Sequence, residues 1–119
     1  MALMEMPTYA GGGGGTLTHI EDVASIRQNA YAFTSIGKYI VFSSYESSNQ
    51  TYPTISNYSV NGCAIDTDNS NIYHTTVTVS SVSYTVTNAV IIVDVTTVGA
   101  TIQCNFATSA QATQVYKIG

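Results

Sequence analysis

Charge is scarce in this sequence. Only 8% of its 119 residues are Asp, Glu, Lys or Arg, against roughly 25% in an average soluble domain. The fixed cations are Arg27, Lys38 and Lys117 alone, and the formal net charge is −4. Neutralising a run of phosphates takes several Lys or Arg on one face, so nucleic acid is not expected as a partner. Anionic membranes attract through the same cations and are disfavoured with it.

Leucine is almost missing, confined to Leu3 and Leu17, and there is no tryptophan. The longest apolar run, residues 89–93, ends at Asp94, far short of the ~18 residues a helical membrane span needs. The N-terminal residues lack the basic and long apolar regions of a signal peptide, so export by the general secretory route is not expected. Cys63 and Cys104 are the two cysteines, far apart and in no metal-ligand spacing. Free thiols fit cytosolic synthesis, and a Cys63–Cys104 disulfide is the alternative.

What remains is rich in Thr, Ser, Val, Ile and Tyr, with 45% hydrophobic content. β-branched and aromatic side chains suit a pleated, half-buried surface, so the expected fold is all-β, a small antiparallel β-sandwich or jelly roll. Residues 31–36 and 39–45 flank Gly37-Lys38, and residues 51–60 and 63–66 flank Asn61-Gly62. Both read as two-residue hairpins. Residues 72–79 and 82–87 flank a tight turn or bulge at Ser80-Ser81, with Val77 and Val79 on one face and Val82, Tyr84 and Val86 on one face. Residues 89–97 read as a central strand, 100–107 as a half-buried one and 114–118 as a last short one. Such a series of short strands is the pattern of a sandwich or jelly roll. A short helix is the alternative over 17–29, where Ile20, Val23 and Ile26 lie three apart.

Residues 1–15 form a separate segment, an extended arm ahead of a β-sandwich domain at 16–119. Its tip carries Met1, Leu3, Met4, Met6, Pro7 and Tyr9, and its base is Gly11, Gly12, Gly13, Gly14 and Gly15. Five glycines resist ordering more than any other run and read as a hinge spanning roughly 12 Å as a coil. Methionine adapts to irregular apolar grooves, so the tip reads as an anchor. A frayed terminus is the plain alternative.

Catalytic constellations are weak. Two acids such as Glu46 and Asp94 could serve a glycosidase, but no spacing selects them. No nucleophile elbow marks a serine, and His19 and His74 are isolated. No enzyme and no cofactor are expected. Asp66, Asp68 and Ser70 stand at alternate positions as in a calcium loop, but Asn71 and Val77 occupy the places of its glycine and closing Glu. Turn chemistry explains them better. Residues 43–61 have the Tyr/Ser/Asn composition of recognition loops, with Tyr45, Tyr52, Tyr58 and Asn57 as candidate surface contacts for a glycan or protein.

The Met-rich tip, Pro7, the five glycines and the Thr/Ser/Val/Ile-rich β pattern that follows resemble small virion proteins of tailed bacteriophages, of decoration, head-fibre or tail-fibre type. The resemblance implies a structural or host-attachment protein on the virion surface, made in the bacterial cytoplasm. It implies an arm bound to other virion proteins, and a homo-oligomer such as a trimer or ring. A stand-alone carbohydrate- or protein-binding β-sandwich module is the alternative.

Overall fold

The computed structural model describes residues 16–48, 50–108 and 110–119. The tip and the five glycines at 1–15 lie outside the described residues. The described residues form nine strands in chain order: β1 (Leu17–Val23), β2 (Tyr31–Ala32), β3 (Gly37–Ser47), β4 (Tyr58–Asn61), β5 (Cys63–Ile65), β6 (Asn71–Val79), β7 (Val82–Val95), β8 (Thr101–Cys104) and β9 (Ala112–Ile118). Among the described residues one 3₁₀ turn, Ile55–Asn57, precedes β4.

The strands form two antiparallel sheets. The larger runs β1-β9-β3-β7, and the far side of β7 is shared by β5 and β6. The smaller runs β2-β8-β4. Period-two alternation decides which side chains meet between them. Tyr39, Val41, Tyr45, Ile91, Val93 and Val115 of the large sheet pack against Tyr31, Tyr58, Ile102 and Cys104 of the small one. The expected all-β fold is therefore present, as a small sandwich.

Three local expectations are corrected. Neither Gly37-Lys38 nor Asn61-Gly62 closes a hairpin: β2 and β4 belong to the small sheet, whereas β3 and β5 belong to the large one. The chain changes sheets at both points. Gly62, at φ 77°, makes one such corner, where a Cβ would sit 3.3 Å from that of Ala100. Turn chemistry says that the chain bends, while the faces to be buried decide what each strand pairs with.

Residues 17–23 are strand rather than helix. A bulge between His19 and Glu21 leaves Ile20 unpaired and 40% exposed while Val23 pairs with Thr113, so their three-residue spacing marks no shared buried face. Finally, residues 82–95 form one strand without a break at Asn88. The turn at Ser80-Ser81 matches expectation: both serines have positive φ, 50° and 67°, and Val79 faces Val82 across the hairpin.

Candidate functional site

Each strand of the large sheet has a second face, pointing away from the small sheet. On it lie Ile40 and Phe42 of β3, Tyr116 and Ile118 of β9, Val90 and Ile92 of β7 and Leu17 of β1, as the cross-strand pairs Ile40↔Ile92, Ile40↔Tyr116, Phe42↔Val90 and Leu17↔Ile118 require. In a two-layer sandwich this outward face is ordinarily polar. Here it is apolar in its middle and at its hairpin end, with the Lys38–Asp94 pair at the other end and Ser44, Asn88 and Glu46 among the apolar residues.

The face has two parts. In its middle, Ile40 (7% exposed), Phe42 (3%), Ile92 (8%) and Tyr116 (4%) are buried. Gln114 is buried beside them and accepts a hydrogen bond from the Tyr116 hydroxyl at 3.1 Å. The second part is the β6–β7 hairpin, which carries the sheet past the end of β3, whose last paired residue is Ser47, opposite Thr85. There Val77, Val79, Val82, Tyr84 and Val86 stand 40–56% exposed on this same face. The hairpin's other face is closed by hydroxyl pairs, Thr76–Thr85 and Thr78–Ser83, each at 2.9 Å. A hollow of about 400 Å³ lies beside the hairpin, lined by Glu46, Ser47, Ser48, Tyr84, Val86 and Gln111.

The residues expected from sequence fall elsewhere. Tyr45 and Tyr58 are core residues rather than surface contacts. They lie on inward-facing positions of opposite sheets, and their hydroxyls meet at 3.0 Å, with Tyr45 donating to Cys104 Sγ at 3.3 Å. Burial pushes both phenols far above their ordinary pKa. Burial, aided by Glu21, raises Tyr31 to about 12. Tyr52 is exposed and stacks on His74, ring centroids 3.8 Å apart and planes within 16°. Asn57 holds the 3₁₀ turn: its Oδ1 accepts the Thr54 amide at 2.8 Å.

Asp66 and Ser70 build a turn. The Ser70 hydroxyl donates to the Asp66 carbonyl at 2.7 Å and accepts the Ile92 amide at 2.8 Å. The Asp66 carboxylate accepts from Asn69 at 2.8 Å and Lys38 at 3.3 Å. The Asn69 hydrogen bond and then Lys38 hold Asp66 below the usual carboxylate range. Asp68 is exposed, and no cluster of three His, Cys, Asp or Glu occurs among the described residues.

Glu46 and Asp94 sit at opposite ends of the sheet. Lys38 pairs with Asp94 and Glu46 lies eight residues further along β3, roughly 27 Å away at about 3.4 Å per residue. That distance rules out a shared glycosidic bond. His19 pairs with Asp22 at 2.8 Å and rests edge-on against Tyr116. Cys63 and Cys104 are free thiols, and burial raises the Cys63 thiol.

The apolar outward face is the feature that sequence reasoning missed. The shared faces of Val77/Val79 and Val82/Tyr84/Val86 were its signal, but which face lacks a covering layer depends on long-range sheet order. Compared with known families, curated proteins and solved structures, the chain matches none.

Proposed function

We propose that the protein is a structural or attachment component on the surface of a tailed-bacteriophage particle, working through protein–protein contacts. The observation that carries this reading is the projecting β6–β7 hairpin with its exposed apolar face. Contiguous apolar surface of this kind serves a protein partner. A symmetric neighbour bearing the same hairpin supplies a matching apolar surface, which favours a homo-oligomer. The Met-rich tip at residues 1–9 supports the same reading, as an anchor to other virion proteins. No chemistry is required of it beyond contact.

Two deletions of contact test this proposal in particles grown with variant chains. Removing residues 1–15, or changing Val77, Val82 and Tyr84 together to Ser, should cut the copies per particle at least tenfold by quantitative mass spectrometry. The isolated variants should keep their β-type circular dichroism. Unchanged copy number in both would sink the reading.

A binding module is the second reading, favoured by the Tyr52–His74 stack. The stack borders a hollow of about 280 Å³ that Pro53, Ile55 and Asn71 also line. An exposed ring beside mixed polar groups suits a sugar face. A glycan array that lights up for the wild type and goes dark for Tyr52→Ala would favour this reading.

A further inference from the structure

The large sheet ends on two very different strands. On one side β1 carries the bulge between His19 and Glu21 and the charges of Glu21 and Asp22. On the other, β6 has β7 as its partner strand among the described residues. Its nine residues include no Lys, Arg, Asp, Glu, Pro or Gly, and they pair with β7 without a register shift. Bulges, charges, prolines and brevity are what keep a sheet edge from pairing with another chain. The other terminal strands have brevity, since β2, β4 and β5 hold two, four and three residues. Among the described strands, β6 alone is a long, regular and uncharged edge.

The hairpin turn decides which backbone groups face outward. Val79 and Val82 flank a two-residue turn and exchange both hydrogen bonds, and the ladder alternates from there. The N–H and C=O groups of Asn71, Tyr73, Thr75, Val77 and Val79 therefore point at β7. Those of Ile72, His74, Thr76 and Thr78 point off the sheet, and no backbone hydrogen bond meets them among the described residues.

We propose that β6 pairs antiparallel with β6 of a second copy of this chain, across a two-fold axis at Thr75, so that the two large sheets continue into one. The inference rests on the self-association read above and deepens it, by naming the strand and the register. A two-fold contact brings the same patch of each copy together, and β6 suits itself. With Thr75 on the axis, Ile72 faces Thr78 of the second copy and His74 faces Thr76 of the second copy. Every outward N–H and C=O on both strands is then bonded. Moving the axis to His74 or Thr76 leaves Thr78 or Ile72, respectively, opposite a residue outside β6.

The side chains agree with this register. Its non-hydrogen-bonded sites, where side chains approach most closely, fall on the apolar outward face. They set Tyr73, 59% exposed, beside Val77 of the second copy, and Val77, 51% exposed, beside its Tyr73. Aromatic and β-branched side chains make a favourable cross-strand pair. With no fixed charge on β6, no like charges meet across the axis.

Cysteine scanning of the full chain reads the register, at exposed positions of β6 and in a Cys63→Ser background, with Cys104 buried. Thr75→Cys brings two thiols together on the axis, at a Cα separation of about 4.5 Å that a disulfide bridges. Mild oxidation should then yield a covalent dimer. Tyr73→Cys or Val77→Cys alone sets its own copies about 14 Å apart, beyond the reach of a disulfide. Mixed, these two chains should cross-link about tenfold faster than either does alone. A chain that self-associates in sedimentation but cross-links at equal rates at all three positions would overturn the edge pairing and leave the assembly reading standing. A chain that sediments as a monomer would overturn both.

Discussion

Tyr45 and Tyr58, on opposite sheets, meet hydroxyl to hydroxyl at 3.0 Å inside the core. Because Tyr45 donates to Cys104 Sγ, Tyr58 donates to Tyr45, and the three groups form a short buried chain of hydrogen bonds. Removing the middle member leaves two groups unmet, and removing the first leaves none stranded. Tyr45→Phe should therefore cost more than Tyr58→Phe, about 2 against about 1 kcal/mol by urea denaturation. Equal costs would show that the chain of bonds is not what holds the sheets at this point.

The same pair sets an alkaline limit. A phenol whose folded pKa is raised keeps its proton in the folded state after the unfolded chain has lost it. These groups contribute stability that is fully present below pH 10 and declines as pH rises above 10 toward the folded values. Absorbance at 295 nm should show at least three of the nine tyrosines, Tyr31, Tyr45 and Tyr58, ionising only as the protein unfolds. Full ionisation of all nine in the folded protein near pH 10 would contradict their burial.

Two serines hold left-handed backbone at the tip of the β6–β7 hairpin, a conformation that costs most residues about 1 kcal/mol or more. The paired positive φ values are those of a type I′ turn, which Asn-Gly fills without strain. Ser80→Asn with Ser81→Gly should stabilise the hairpin by about 1 kcal/mol. Amide exchange at Val79 and Val82, the hydrogen-bonded pair that closes the turn, would then slow about fivefold, and faster exchange would refute the turn assignment.

Gly62 and Gly99 both have positive φ, 77° and 83°, but only Gly62 is crowded, against Ala100. Replacing each by Ala separates the two effects. Gly99→Ala should cost about 1 kcal/mol from backbone conformation alone. Gly62→Ala should cost about 1 kcal/mol more, because the new Cβ presses on the corner where the chain changes sheets. Thermal denaturation of the pair checks the order.

Much of the strand content was legible because β-branched residues and period-two alternation are local signals. β6, β9 and the hairpin turn at Ser80-Ser81 were read at nearly their observed positions. Pairing was not legible. Gly37 and Gly62 announce bends truthfully, but a bend between paired strands and a bend between sheets use the same residues.

Composition likewise placed Tyr45 and Tyr58 with Tyr52 in a recognition loop. Tyr45 lies instead on the inward alternation of β3, shared with Tyr39 and Val41, and is carried into the core. The apolar outward face was hidden for the same reason. Val77 and Tyr84 reveal a shared face from sequence alone, but their exposure depends on how far β3 extends beside them.

The central claim is that this exposed face is a contact surface, and self-association is its most direct reading. Sedimentation equilibrium of the full chain, from about 1 to about 100 μM, is predicted to show reversible assembly. The Val77→Ser, Val82→Ser, Tyr84→Ser variant should remain monomeric over the same range with an unchanged circular dichroism spectrum. A wild-type chain that stays monomeric throughout, or a variant that assembles equally well, would contradict the account.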